Sequence, residues 1–236
     1  MSSFDLFLHP YYNNNASFQM DYDKKMMHLG GNGIHLRFYR FDPPAVTLGY
    51  LQKNHNSCNW PQNLDYIKRP TGGRAVFHSN DITYAVSCSS EIFEKKYSLI
   101  EFYNLIARSL LSGLSKMGIK ADIFRRYSGR KYSSSINCFS SVSIAEIVVD
   151  KKKLIGSAQA RSNNYILQHG SIPLTIDEIA ESKLFGTDPS AFDERIALYD
   201  ILDPDLFPYQ LIIEKLTEGF ADFFGGKVYK YNKNKE

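Results

Sequence analysis

The chain has 236 residues, of which 43% are hydrophobic and 22% charged, with 28 Lys and Arg against 25 Asp and Glu. That length and balance support a full hydrophobic core in one large domain, two unequal domains being the alternative, and a formal net charge of +3 is far from the basic stripe of a nucleic-acid binder. No run of about 18 apolar residues occurs and Met1-Ser2-Ser3-Phe4-Asp5 lacks the basic start and apolar centre of a secretion signal, so the expected location is the cytoplasm with no membrane partner.

Residues 17 to 29 predict a helix, with Phe18, Tyr22 and Met26 spaced by four. Short β-like runs follow at His35 to Tyr39, Ala45 to Leu48, Tyr66 to Arg69, Arg74 to His78 and Ile82 to Cys88, punctuated by Asp42-Pro43-Pro44 and Gly49. The widest apolar stripe, Phe93, Tyr97, Leu99, Phe102, Leu105, Ile106, Leu110, Leu114 and Met117, predicts a helix over 92 to 117 that stops at Gly118. A strand at 121 to 124 leads into the basic, serine-rich stretch Arg125 to Ser135, read as a loop. A hairpin is expected from Ser143 to Val149, a tight Asp150-Lys151-Lys152 connection, and Lys153 to Gln159. Strict alternation in its second strand places Lys153, Ile155, Ser157 and Gln159 on one face, with Leu154, Gly156 and Ala158 on the other. A strand over Tyr165 to Leu174 and helices near 176 to 184 and 207 to 224 complete the series. Strands with irregularly interspersed helices indicate an α+β fold, with a mixed, mostly antiparallel sheet packed with helices.

The most informative segment is Arg69-Pro70-Thr71-Gly72-Gly73-Arg74-Ala75-Val76-Phe77-His78. Glycine alone leaves no Cβ between the backbone and a bound chain, so the pair reads as the wall of a narrow slot. By itself, a Gly-Gly between strands is equally a hairpin turn.

Three thiols, Cys58, Cys88 and Cys138, are too scattered for a disulfide framework or a Cys-x-x-Cys zinc site. Cys138 follows Arg125, Arg126, Arg130 and Lys131, cations of the kind that lower a thiol pKa, although single cysteines are common core fillers. Lys153 heads Lys-Leu-Ile-Gly-Ser-Ala-Gln and reads either as a group that polarises a carbonyl or as the end of a solvated hairpin-tip run. His78 and His169 suit proton transfer or structural hydrogen bonding. No metal-ligand spacing, phosphate-cradling loop or dinucleotide fingerprint is present.

Taken in order, Arg69 to His78, Cys138-Phe139, Lys153 to Gln159 and Gln168-His169-Gly170-Ser171 resemble the biotin/lipoate protein ligase superfamily, as do Leu36-Arg37-Phe38-Tyr39 and Pro43 to Tyr50. The resemblance covers about residues 15 to 175 and is strongest to the cysteine-dependent octanoyltransferases. It implies that residues 1 to 236 form one catalytic domain, without the C-terminal accessory domain of the ligases. It further implies transfer of an octanoyl (or lipoyl) group to the lysine of a lipoyl domain, with octanoyl-acyl carrier protein as the octanoyl donor and the glycine-cleavage H protein or a 2-oxoacid dehydrogenase E2 as acceptor. Cys138 would carry the thioester and Lys153 would hold the acyl carbonyl. Arg69, Thr71, Gly72, Gly73, Arg74, Ala75, His78, Gly156, Ser157, Ala158, Gln159, His169 and Gly170 would form the acyl site. No cofactor is expected for a transferase, whereas the alternative, an ATP-dependent lipoate ligase, would need ATP and magnesium. A second alternative is a non-catalytic module that retains the fold and holds acylated domains. The chain departs from the transferase pattern at Val142, where proline is common. A regular extension of the hairpin would also carry Cys138 opposite Asn163, far along the strand from Lys153, so 136 to 142 must bend or leave the sheet for the two to meet.

Overall fold

The computed structural model describes residues 4–29, 33–52, 61, 63–89, 99–124, 146–162 and 165–231. In chain order these form β1 (Leu6–Leu8), β2 (Tyr12–Asn14), α1 (Ala16–Met27), β3 (Ile34–Phe41), β4 (Ala45–Leu48), β5 (Asp65–Lys68), β6 (Val76–His78) and β7 (Asp81–Ser89). There follow α2 (Leu99–Ser115), β8 (Asp122–Phe124), β9 (Glu146–Val149), β10 (Lys152–Arg161), β11 (Tyr165–Pro173), α3 (Glu178–Phe185), α4 (Tyr209–Phe224) and β12 (Val228–Lys230), with short 3-10 turns at Pro189–Phe192 and Leu198–Asp200.

Among the described residues the strands make a nine-stranded sheet in the order β12-β1-β3-β7-β11-β10-β9-β8, with β2 also on β3, and a three-stranded sheet β5-β4-β6. The centre of the large sheet, from β3 through β7, β11 and β10 to β9, is antiparallel, while β12-β1, β1-β3 and β2-β3 are parallel. This is the mixed, mostly antiparallel α+β architecture expected from the sequence.

Strand β7 shows how one alternation builds two faces. Ile82, Tyr84, Val86 and Cys88 point to the main core, where Phe102, Ile106 and Leu110 of α2 and Ile212, Leu216 and Phe220 of α4 cover them. Ala85 points the other way and packs with Ala16, Met20, Met26, Tyr39 and Leu167 under α1. Helices α2 and α4 approach closely because glycine sits where they cross: a Cβ on Gly219 would lie 2.3 Å from Gly113 N and 2.4 Å from Ser109 O. Helix α2 ends before Gly118, whose φ of 80° only glycine adopts at little cost.

Helix α1 is present, but its buried face is Ala16, Gln19, Met20, Asp23 and Met26, and Phe18 is 37% exposed. The helix thus turns polar Gln19 and Asp23 inward, against Arg37. The hairpin between β9 and β10 is tighter than expected: Asp150 and Lys151 take φ of 47° and 67°, and Lys152 already pairs with Val149. The loop expected at Arg125 to Ser135, and Phe93 and Tyr97 of the long apolar stripe, lie outside the described residues. No helix among those described is long and apolar enough to cross a membrane.

Candidate active site

The α1 face of the large sheet and the small sheet flank a narrow slot with about 410 Å³ of space not filled by atoms, part of it open to solvent. Met20 of α1, Tyr39 and Phe41 of β3, Thr47 of β4, Val76 and His78 of β6, Thr83 of β7, and Gly156 to Ala158 and His169 to Ser171 of β10 and β11 line it, with Arg69. Seven residues expected at the acyl site are therefore brought together here: Arg69, His78, Gly156, Ser157, Ala158, His169 and Gly170.

The polar groups of this lining are spent on one another. The His78 Nδ1–H donates to Asp81 Oδ2 at 2.8 Å, and its Nε2 lies 3.0 Å from Thr47 Oγ1. Asp81 also accepts from Ser171 Oγ at 2.6 Å and from Thr83 Oγ1 at 3.2 Å. Burial works to raise the Asp81 carboxyl, but His78 and the hydrogen bonds from His78, Ser171 and Thr83 outweigh it and hold the group below its ordinary value. A second network starts at His169, whose Nδ1–H donates to Asp23 Oδ2 at 3.1 Å while Nε2 accepts from the Thr71 hydroxyl. Burial lowers the His169 pKa despite Asp23, which favours this neutral tautomer. Asp23 accepts further from Arg37 Nη1 at 3.0 Å and from the Tyr39 hydroxyl at 2.8 Å. What remains for a ligand is mostly carbon, in a site built from polar side chains.

Arg69 fixes the glycine loop. Its Nε and Nη2 donate to Gly72 O at 3.2 and 2.7 Å, Nη2 also to Arg74 O at 2.6 Å, and Nη1 to Thr47 O at 3.0 Å. Thr71, fully buried, ties the loop to β11 through His169. Gly73 has φ of 89°, and its carbonyl packs on Gly49, where a Cβ would come within 1.9 Å of it. Gly72 is different: a Cβ there meets nothing within 4 Å. Ala75 enters a small core with Val46, Leu48 and Leu184, and Arg74 is half-buried at the loop end.

Gly170 needs its missing side chain for packing, since a Cβ would lie 2.4 Å from Gly156 O and 2.7 Å from Tyr84 Cε1. Behind it, the Tyr84 hydroxyl bonds Ser157 Oγ at 2.7 Å, Gln168 Nε2 donates to Tyr84 at 3.1 Å, and Gln159 Nε2 donates to Gln168 Oε1 at 3.2 Å. Gln159 thus belongs to the rear network.

Lys153 departs from the expected alternation. Between Lys153, opposite Val148, and Ile155, opposite Ile147, β10 carries a bulge, and both Leu154 and Ile155 enter the main core. The extra residue turns Lys153 away from Ile155 and Ser157, to the sheet face that holds Gly156 and Ala158. There it is 4% exposed and its ammonium donates to Glu146 Oε1. The backbone of the Glu194–Ile196 segment grips it on both sides, with Lys153 N donating to Glu194 O at 2.8 Å and Ile196 N to Lys153 O at 3.1 Å.

Cys138 lies outside the described residues, as does Cys58. Cys88 is buried in the main core, where burial pushes its thiol well above the ordinary range, so it is an inert filler. Among the described residues no group of three or more His, Cys, Asp and Glu side chains could hold a metal ion. Residues that sequence reasoning missed are Asp23, Arg37, Asp81, Tyr84 and Glu146. Alternation in the expected run His35 to Tyr39 hinted only at Arg37, by setting it on the face opposite Leu36 and Phe38.

The fold has solved counterparts. A crystal structure of a lipoate-protein ligase A bound with ATP superposes with a TM-score of 0.78 at 20% identity, covering 100% of this chain and 90% of that one. The architecture is therefore that of an α+β lipoate-ligase domain. In sequence, the chain is 35% identical over 233 residues to octanoyltransferase LipM of Kyrpidia tusciae, covering 90% of this chain and 85% of the relative. It is 33% identical over 192 residues to octanoyltransferase LipM of Halalkalibacterium halodurans, covering 76% and 70%. Residues 15–203 match the lipoyl protein ligase A/B catalytic domain, and the chain belongs to that enzyme family, as the ordered motifs implied.

Proposed function

We propose that this protein is an octanoyltransferase that moves an octanoyl group from octanoyl-acyl carrier protein to the lysine of a lipoyl domain. The single observation that carries the reading is the slot itself: narrow, lined by Arg69, Val76 and His78 from the two ends of the glycine loop, mostly carbon where a ligand would lie, with Lys153 on the strand face of Gly156 and Ala158. Each methylene of an acyl chain buried there contributes about 0.8 kcal/mol, so the slot alone supplies useful affinity. Identity to two octanoyltransferases above 30% supports the same reaction.

The Cys138 thiolate attacks the thioester carbonyl, the bond to the carrier sulfur breaks, and the carrier thiol leaves with a proton. Lys153 donates a hydrogen bond to the oxygen as negative charge develops on it. The acceptor lysine amine then attacks the acyl-enzyme, the C–S bond breaks, an amide forms, and the cysteine thiol is restored. The donor already stores the activation energy, so the reaction calls for neither ATP nor magnesium. Acceptors are lipoyl domains of the glycine-cleavage H protein or of a 2-oxoacid dehydrogenase E2.

The test is to incubate the chain with octanoyl-acyl carrier protein, without ATP, and weigh it intact. One octanoyl adduct is expected, and it should be absent from Cys138→Ala. An adduct that persists in that variant, or full activity of the variant with free lipoate and ATP, would defeat the mechanism.

A further inference from the structure

An ammonium withdrawn from water needs an anionic partner, because a low-dielectric interior penalises an isolated charge severely. Lys153, 4% exposed, has one in Glu146, which is 2% exposed. The pairing follows from the strands. Val148 stands opposite Lys153, so Glu146 is its diagonal neighbour two residues along on the same face, a separation that long side chains bridge. Ile147 and Val149 alternate to the other face and join the main core, which fixes the register that presents Glu146. With the Lys153 backbone clamped between Glu194 and Ile196, the main chain and the ammonium are both held.

We infer that Glu146 is a positioning residue whose carboxylate holds the Lys153 ammonium on the sheet face that carries Gly156 and Ala158, so that it governs the rate of acyl transfer and not the binding of the acyl chain. This rests on the octanoyl transfer proposed above. An ammonium has three N–H donors, so turning one toward a carbonyl oxygen does not require release of the carboxylate. Nothing in the sequence pattern singles out Glu146, which sits in an ordinary Ala-Glu-Ile-Val run.

The experiment compares the wild-type chain with Glu146→Gln, Glu146→Asp, Lys153→Ala and the double variant Glu146→Gln/Lys153→Ala, using octanoyl-acyl carrier protein as donor and a lipoyl domain as acceptor. Glu146→Gln should lower kcat about tenfold or more while KM for the donor stays within about twofold. Glu146→Asp, which keeps the charge, should recover part of the loss. The double variant should be no slower than Lys153→Ala within about twofold, since a residue acting through Lys153 then has nothing to act on. Wild-type kcat in Glu146→Gln, a loss confined to KM, or additive losses in the double variant would overturn the inference. If Glu146→Gln does not fold because Lys153 is left buried without its anion, the double variant removes both charges and carries the comparison with Lys153→Ala. Absence of transfer by the wild-type chain is the separate outcome that sinks the donor assignment, and the inference falls with it.

Discussion

His169 of β11 and Asp23 of α1, separated by 146 positions in the chain, meet at 3.1 Å and join the first helix to the central sheet. Because Asp23 also accepts from Arg37 and Tyr39, and His169 also bonds Thr71, one buried carboxylate organises the helix, the sheet and the glycine loop together.

The consequence for stability is direct. Asp23 and Arg37 are both fully buried, and Asp23→Asn leaves the guanidinium without its anion. The expected loss is about 3 kcal/mol or more of unfolding free energy, read from urea denaturation. A loss under about 1 kcal/mol would mean that Gln19 alone, whose carbonyl and side-chain oxygens also accept from Arg37, holds the cation.

Acid should weaken the fold through its buried histidines. Burial first, then His35 and Arg37, pushes His9 down from 6.5 to about 3. The unfolded chain takes up that proton near 6.5 and the folded chain does not until about 3. The contribution of His9 is therefore complete above about pH 6.5 and is lost as the pH falls from there toward 3, at no more than about 1.4 kcal/mol per pH unit. His169, lowered chiefly by burial, acts with the same sign. Asp81, held below its ordinary value, adds stability above the carboxylate range that is lost only at still lower pH. Urea midpoints measured against pH should flatten between 6.5 and 3 in His9→Gln, and an unchanged slope would contradict the assignment.

The glycines near the slot separate by role. Gly49→Ala forces a Cβ to within 1.9 Å of Gly73 O and should cost about 1–3 kcal/mol, since backbone must move. Gly72→Ala meets nothing within 4 Å and should melt like the wild type. If the acyl chain runs along the loop as proposed, Gly72→Ala weakens donor binding without unfolding the protein. Equal melting temperatures for both variants would show that the loop is not packed as described.

Sequence legibility followed the length and regularity of each element. Strand β4 matches its expected range at both ends, and α4 and β7 match within two residues, because each has a clean period against which polar and apolar positions sort. The three-residue strands β1, β2 and β12 have no counterpart among the expected runs, whereas the equally short β6 and β8 fall inside the longer expected runs 74 to 78 and 121 to 124. The facing of Lys153 was misread for a different reason: one bulged residue inverts every assignment before it, and no composition marks a Leu-Ile pair as bulged. Phe18, Tyr22 and Met26 mark the helix, yet of the three only Met26 is fully buried, because the sheet beneath offers Arg37 and His169, which bond Asp23 and turn that side of the helix inward. His78 and His169 were recognised as candidates, whereas their carboxylate partners came from a distant helix and from a strand start with no motif around them.

The fork of Arg69 reaches three main-chain carbonyls, of Thr47, Gly72 and Arg74, from within the protein. The path of the glycine loop is thus set by an internal cation, and a guest bound as proposed would find that segment already ordered. A lysine there would supply the charge but not the planar geometry that spans all three oxygens, so the empty site would lose its preorganisation while the fold stayed whole.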